Sequence, residues 1–311
     1  MPRRLIINAD DFGLTHGINR AIAELHDAGA VTSATLMASG PAFHDAVALA
    51  RQRPNLGVGC HIVLTDGLPV SPPRTVPSLL APNTQTLRPK LRNFLAALIT
   101  HQIDPDEIER EATAQIRRIQ HTGLTVTHLD AHKHTHIAPP VMSALLCAAK
   151  KTGVHAIRNP FEQPWAFPLS NGTTARTSQI RLIQPLQRSF LKRPEIQSRD
   201  IRTTDGTVGI SATGHLDEAT LRNLLNALPD GIWELVCHPG YNDAELNSIT
   251  TRLRATREVE RQALLSVFSK SGDQSVSDFE SQDLEPALHE SSNFQPHLSP
   301  LQLIHYGSLV V

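Results

Sequence analysis

Along this chain, short runs of apolar and often β-branched residues alternate with longer stretches in which apolar positions return every three or four residues. Eight of the short runs read as strands: residues 5–9, 32–37, 56–62, 125–129, 154–158, 207–210, 233–237 and 301–305. The longer stretches read as amphipathic helices at 16–28, 41–51, 105–120, 139–151, 217–227 and 250–269. The third of these carries its own start signal. Asp104-Pro105-Asp106-Glu107 places a proline where no N–H is needed and acids where the helix dipole favours them. Strand and helix in repeated alternation imply a parallel sheet. Eight strands without a Gly-x-Gly-x-x-Gly turn favour an α/β fold of the β/α-barrel type, TIM-like with irregularities, over an open doubly wound sheet. The whole chain, 1–311, is expected to form one such domain. Two regions break the rhythm. Residues 161–204 are rich in Pro, Arg, Gln and Ser around a short helical pattern and read as an insertion or lid; residues 269–300 are polar and Ser-rich and read as a mobile segment before the last strand.

Composition narrows the function classes. With 29 basic and 30 acidic side chains the formal net charge is −1, which argues against a nucleic-acid partner. No stretch approaches the roughly 20 apolar residues that span a bilayer. The first residues run directly into a strand pattern, so a cytoplasmic protein is expected. Cys60, Cys147 and Cys237 are too scattered for a disulfide framework or a structural zinc site and read as buried free thiols. A homo-oligomer is left open. The sixteen histidines are unusual, and many stand beside strand signals.

Candidate chemistry gathers where strand patterns end. Asn8-Ala9-Asp10-Asp11-Phe12-Gly13 closes the first strand with two adjacent carboxylates. In parallel β/α folds that end faces the ligand side, and neighbouring carboxylates resist joint ionisation unless a cation neutralises one of them. A helix N-cap is the plainer alternative for either acid. Gly57-Val58-Gly59-Cys60-His61 carries one imidazole near a strand exit, which in isolation reads as a satisfied core histidine. His128-Leu129-Asp130-Ala131-His132-Lys133-His134-Thr135-His136 puts four histidines and an aspartate at positions of one parity, a pattern a solvated face does not require. Imidazole is the commonest protein ligand for transition-series dications. Along an extended strand the run would be too long for all to share an ion, so one or two would be ligands and the rest of His128, Asp130, His134 and His136 would support them or touch substrate. His238 ends another apolar strand before Pro239-Gly240, and Arg158 brings a permanent cation to the same rim, with a surface ion pair as its plainer reading.

Taken in order, the motifs Asn8-Ala9-Asp10-Asp11-Phe12-Gly13, Gly59-Cys60-His61-Ile62-Val63-Leu64, Thr127-His128-Leu129-Asp130-Ala131-His132 and Cys237-His238-Pro239-Gly240-Tyr241 resemble those of the YdjC-like carbohydrate deacetylases, over most of the chain. That family includes chitooligosaccharide and hopanoid-associated deacetylases. The resemblance implies a β/α barrel, one divalent cation, magnesium or zinc, and removal of N-acetyl groups from an amino sugar. It further implies Asp11, His61 and His132 as metal ligands, Asp10 as the base and His238 as the acid; Arg158, read from its own rim position, suits the orienting of the second carboxylate. Lys133 stands where the chitooligosaccharide branch carries a further histidine, and residues 68–73 and 130–134 are closer to the hopanoid-associated branch. Rival readings are a metal-dependent phosphoesterase or sugar isomerase on the same barrel, and a non-enzymatic histidine-rich metal-binding protein.

Overall fold

The computed structural model describes residues 2–268 and 300–310. The segment expected to be mobile, 269–300, therefore lies outside the described residues except for Pro300. Among the described residues seven strands form: β1 (Arg3–Phe12), β2 (Ser33–Leu36), β3 (Gly57–Ile62), β4 (Leu129–Ala131), β5 (Gly206–Val208), β6 (Gly231–Cys237) and β7 (Leu301–Leu303). All described pairings between them are parallel, in the order β4-β3-β2-β1-β6-β5, with β7 also on β1. Helices cover the faces, so β1, β2 and β3 are buried almost throughout and read as continuous apolar runs rather than alternating ones. β1 is the axis of the sheet. One edge pairs with β6 from Arg3 to Ala9; the other is shared, with β7 on Arg3–Leu5 and β2 from Asn8 onward.

The fifth expected strand, 154–158, does not form. Its residues touch the sheet through isolated bridges, Leu129 with Ile157 and Ala156 with Arg202, and Glu162 then bridges to Thr207 of β5. Pro160 removes one ladder donor, and Asn159 takes over locally: its Oδ1 accepts from Phe161 N and its Nδ2 donates to Thr204 O. The sheet curls into an incomplete barrel whose gap between β4 and β5 is crossed by these bridges. The fourth strand lies later than expected, at Leu129–Ala131 rather than 125–129, although Thr127 N and Cys60 N still bond across to Val58 O and His128 O.

Helix starts follow the local chemistry. Thr15, Asp104 and Asp217 each accept a backbone N–H from the first turn they cap. Residues 161–204 hold more helix than the sequence pattern indicates, namely Pro164–Leu169, Thr174–Ile183, Pro185–Leu191 and Pro194–Gln197. Pro164, Pro185 and Pro194 are helix-starting residues, which a reading of proline as loop text inverts. Phe161 and Phe167 are buried, and the Trp165 ring meets Trp233 edge-on at 5.6 Å between centroids. No described helix is long and apolar enough to cross a membrane.

Candidate metal centre

Adjacent strand residues point to opposite faces, so Asp10 and Asp11 could not both reach one site from a regular strand. β1 solves this with a bulge. Three steps on β1, Ala9 to Phe12, match two on β2, Ala34 to Leu36, and within the bulge Asp11 adopts φ 65°. That left-handed conformation is strained for a residue with a side chain, and such strain concentrates at functional sites. Its effect is to bring both carboxylates to the carboxyl end of the sheet.

There Asp11 Oδ1 lies 3.6 Å from His61 Nε2 and 3.3 Å from His132 Nδ1, and the two imidazole nitrogens are 3.3 Å apart. Three donors at about 2.1 Å from a tetrahedral ion would be separated by about 3.4 Å, so the spacing fits a bound cation. His61 comes from β3, where register places it beside Asp130 of β4, and its Nδ1 lies 2.7 Å from Asp130 Oδ1. A carboxylate on one imidazole nitrogen turns the other toward a metal. His132 reaches the cluster because the strand stops at Ala131. The chain turns into a 3-10 segment, His132–Ile137, with Lys133 and His134 at φ 55° and 52°. This corrects the expectation of one extended face carrying five side chains. The turn sends each residue of the run to a different place.

Behind the cluster the charges are ordered by two buried arginines. Arg158, fully buried, meets Asp10 through both terminal nitrogens at 2.7 and 3.0 Å, Asp130 at 2.6 Å and Glu234 through Nε at 2.8 Å. The plainer reading of Arg158 as a surface ion pair is thereby overturned. Arg257, from the helix Ala255–Phe268, donates to Asp11 Oδ2. The sequence reading missed Arg257, Glu260 and Glu234. A signal was present: Arg257 and Glu260 occupy buried positions of a helix whose stripe continues with Leu264 and Val267, where apolar residues would be expected. Glu260 accepts from the backbone N–H of His238 and of Gly214.

Four buried carboxylates, Asp10, Asp11, Asp130 and Glu234, thus face two guanidiniums, a deficit of positive charge that suits a cation. Burial works against ionisation of Asp10 and Asp11. Arg158 in the first case and Arg257 in the second override it and hold both carboxyls well below the usual carboxylate range. Burial also disfavours a charged His61, yet Asp130, with Asp10 and Asp11 beyond it, raises that imidazole to about 9. His238 Nε2 lies 3.7 Å from Asp10 Oδ2, and burial lowers this imidazole to about 4.

The remaining histidines of the run do not join the cluster. His128 is fully buried, with Nε2 3.1 Å from Asn8 Oδ1 and its ring stacked on Tyr306 at 3.7 Å. Gly59 makes room for it, since a Cβ there would stand 2.4 Å from the ring. His136 is buried beside a void of about 10 Å³ lined also by Phe161 and Phe190, too small for a sugar. His134 has a buried Nδ1 without a hydrogen-bond partner. A much larger cavity, about 690 Å³, opens between residues 70–75 and the helix Pro105–Gln120, and none of Asp10, Asp11, His61, Asp130, His132 or His238 lines it. Donor chemistry, not volume, identifies the site.

The family described as YdjC-like protein matches residues 4–270, which include Asp10, Asp11, His61, the 128–136 run, Arg158, His238 and Arg257. The chain belongs to the YdjC-like family. Its relatives include a carbohydrate deacetylase of Brevibacillus brevis, 34% identical over 77% of this chain and 82% of the relative, and one of Geobacillus stearothermophilus, 34% identical over 80% and 84%. A chitooligosaccharide deacetylase of an Enterobacter species is 39% identical over 50% of this chain and 58% of that protein. A crystal structure of an Enterococcus faecalis protein superposes with a TM-score of 0.70 over 99% of both chains at 24% identity, which establishes the shared fold. The matched region thus contains the bulged Asp10-Asp11 pair, His61 and His132, which the fold brings to one end of the sheet.

Proposed function

We propose that this chain is a metal-dependent carbohydrate deacetylase that hydrolyses the N-acetyl group of an amino sugar, either a chito-oligosaccharide or a glycolipid-linked N-acetylglucosamine. The observation that carries this reading is the convergence of Asp11, His61 and His132, whose donor atoms lie within 3.6 Å of one another, with a second carboxylate, Asp10, held beside them by Arg158. The donor set of one carboxylate and two imidazoles favours zinc or another transition-series ion over magnesium, which prefers oxygen ligands. Such an ion supplies Lewis acidity toward the acetamide oxygen and makes water a better nucleophile.

Asp10 is ionised, clamped in orientation by Arg158, and is the base that takes the proton from the attacking water. The water oxygen bonds to the acetyl carbon, the C–N bond breaks, and the amine must gain a proton. His238 is the group positioned for that transfer. The proton that Asp10 takes from the water passes to His238 Nε2, 3.7 Å from Asp10 Oδ2, and from there to the departing nitrogen, which leaves acetate, the free amino sugar and both side chains in their starting states. A histidine-rich metal-binding protein would have no use for the Arg158 clamp on Asp10 or for His238 beside it. Acetate release from N-acetylated chito-oligosaccharides and from a glycolipid carrying N-acetylglucosamine tests the reading. Release that stops with a chelator and returns with added zinc is expected; metal uptake without turnover of any acetamide would overturn it.

A further inference from the structure

The insertion at residues 161–204 carries a charged group that this mechanism does not use. The helix Thr174–Ile183 faces the loop that leaves β5. Ile180 packs with Phe167 and Ile210 in a small apolar cluster, and one turn earlier Arg176 donates Nε to Ile210 O at 2.7 Å. Residues four apart share a helix face, so both contacts fix the same face of this helix on the rim. β5 pairs with β6, whose exit carries His238, so the Ile210 loop and His238 are neighbours at the carboxyl end of the sheet.

Arg176 is held at its ε nitrogen by a backbone carbonyl rather than by an acid. The acids closest in charge are already engaged: Glu162 accepts from Gly209 N at 2.8 Å and Ser211 N at 2.7 Å, and Glu260 accepts from Gly214 N and His238 N. The terminal nitrogens of Arg176 have no hydrogen-bond partner among the described residues. Anchored at Nε and open at its terminal nitrogens, the guanidinium has donors available to a ligand. Glu260 ties Gly214, further along the Ile210 loop, to His238 N, and His238 has a buried Nδ1 with no hydrogen-bond partner among the described residues, so the loop that anchors Arg176 borders the His238 side of the cluster.

We infer that Arg176 is a substrate-binding residue that sets specificity: its terminal nitrogens donate to oxygens of the amino sugar whose acetamide lies at the Asp11, His61 and His132 cluster. This rests on the deacetylase reading. It also changes how the insertion serves the site. Phe161 and Phe167, the aromatics best suited to stack on a sugar, are packed inside the protein, and the helix contributes a polar fork instead.

Steady-state acetate release by the full chain, across N-acetylated chito-oligosaccharides and the glycolipid, tests it. Arg176→Ala should raise KM by about tenfold to a hundredfold, the loss of charge-assisted hydrogen bonds, with kcat within about threefold, and with bound metal and Tm unchanged. Arg176→Lys should recover only part of the loss, because an ammonium cannot reproduce the fork. An unchanged KM in an active Arg176→Ala protein overturns the inference and leaves the deacetylase reading standing. So does a parallel fall in kcat, metal content and Tm, which would mark a structural role. A wild-type protein that releases no acetate from any of these compounds overturns the reading and the inference together.

Discussion

Asp10 and Asp11 are neighbours to which the proposed mechanism gives different tasks, because their partners differ. Asp11 places its Oδ1 beside the imidazoles of His61 and His132, whereas Asp10 is gripped by Arg158 and receives Asn8 Nδ2 at 3.0 Å. Asp10→Asn keeps the shape and removes the basic oxygen. The cation should remain at wild-type stoichiometry by elemental analysis, while turnover falls about 100-fold or more, the usual cost of a missing general base. Wild-type turnover in that variant would assign the base elsewhere. The pair was legible in the sequence because two acids at the end of an apolar strand have no packing role. Which acid does what was not legible. It depends on the left-handed turn at Asp11 and on an arginine that comes from 148 positions further along the chain.

Among the elements, the histidine run and the last strand show opposite limits of pattern reading. Parity along 128–136 predicts one shared face, but the strand ends at Ala131 and two left-handed residues redirect the rest. Local turn geometry outweighs periodicity when the sheet partner runs out, as β3 does at Ile62. The last strand is legible as apolar text, yet its main contribution comes just after it. Tyr306 is fully buried, stacks on His128 and donates its hydroxyl to Glu234, which also receives Arg158. Tyr306→Phe leaves one oxygen of a buried carboxylate without a donor, so stability should fall by about 1–3 kcal/mol. Urea unfolding measures this, and a midpoint equal to wild type would show that the Glu234 contact is dispensable. Retention of bound metal in the folded variant is expected, because Tyr306 touches no proposed ligand.

Taken together, the protein concentrates carboxylates under one end of its sheet, and the proposed cation would balance them. Asp130, with Asp10 and Asp11, raises the His61 imidazole to about 9, against about 6.5 for an unperturbed imidazole. Its folded pKa is raised, so its contribution to stability is fully present below about 6.5 and is lost as pH rises through about 9. A cation competes with that proton, and its apparent affinity should therefore rise with pH, by up to about tenfold per unit, until about 9. At a metal concentration about 100-fold above Kd, the ion should stabilise the fold by about 2.7 kcal/mol, a Tm increase of about 3–5 °C for a chain of this size. Scanning calorimetry with and without zinc at several pH values checks both, and a Tm difference that did not grow with pH would remove His61 from the ligand set. By itself, the sequence determined the alternation of strand and helix, the sheet end that carries chemistry, and the residue types there, because each follows from local periodicity and from polar groups standing where packing needs none. Only the tertiary structure decided that the fifth strand reduces to isolated bridges, that Arg257 and Glu260 face inward from a helix near the end of the described chain, and that Arg158 joins Asp10, Asp130 and Glu234. Those outcomes depend on which distant segments meet, and the energy of a buried charge is set by the partners that surround it rather than by its neighbours in sequence.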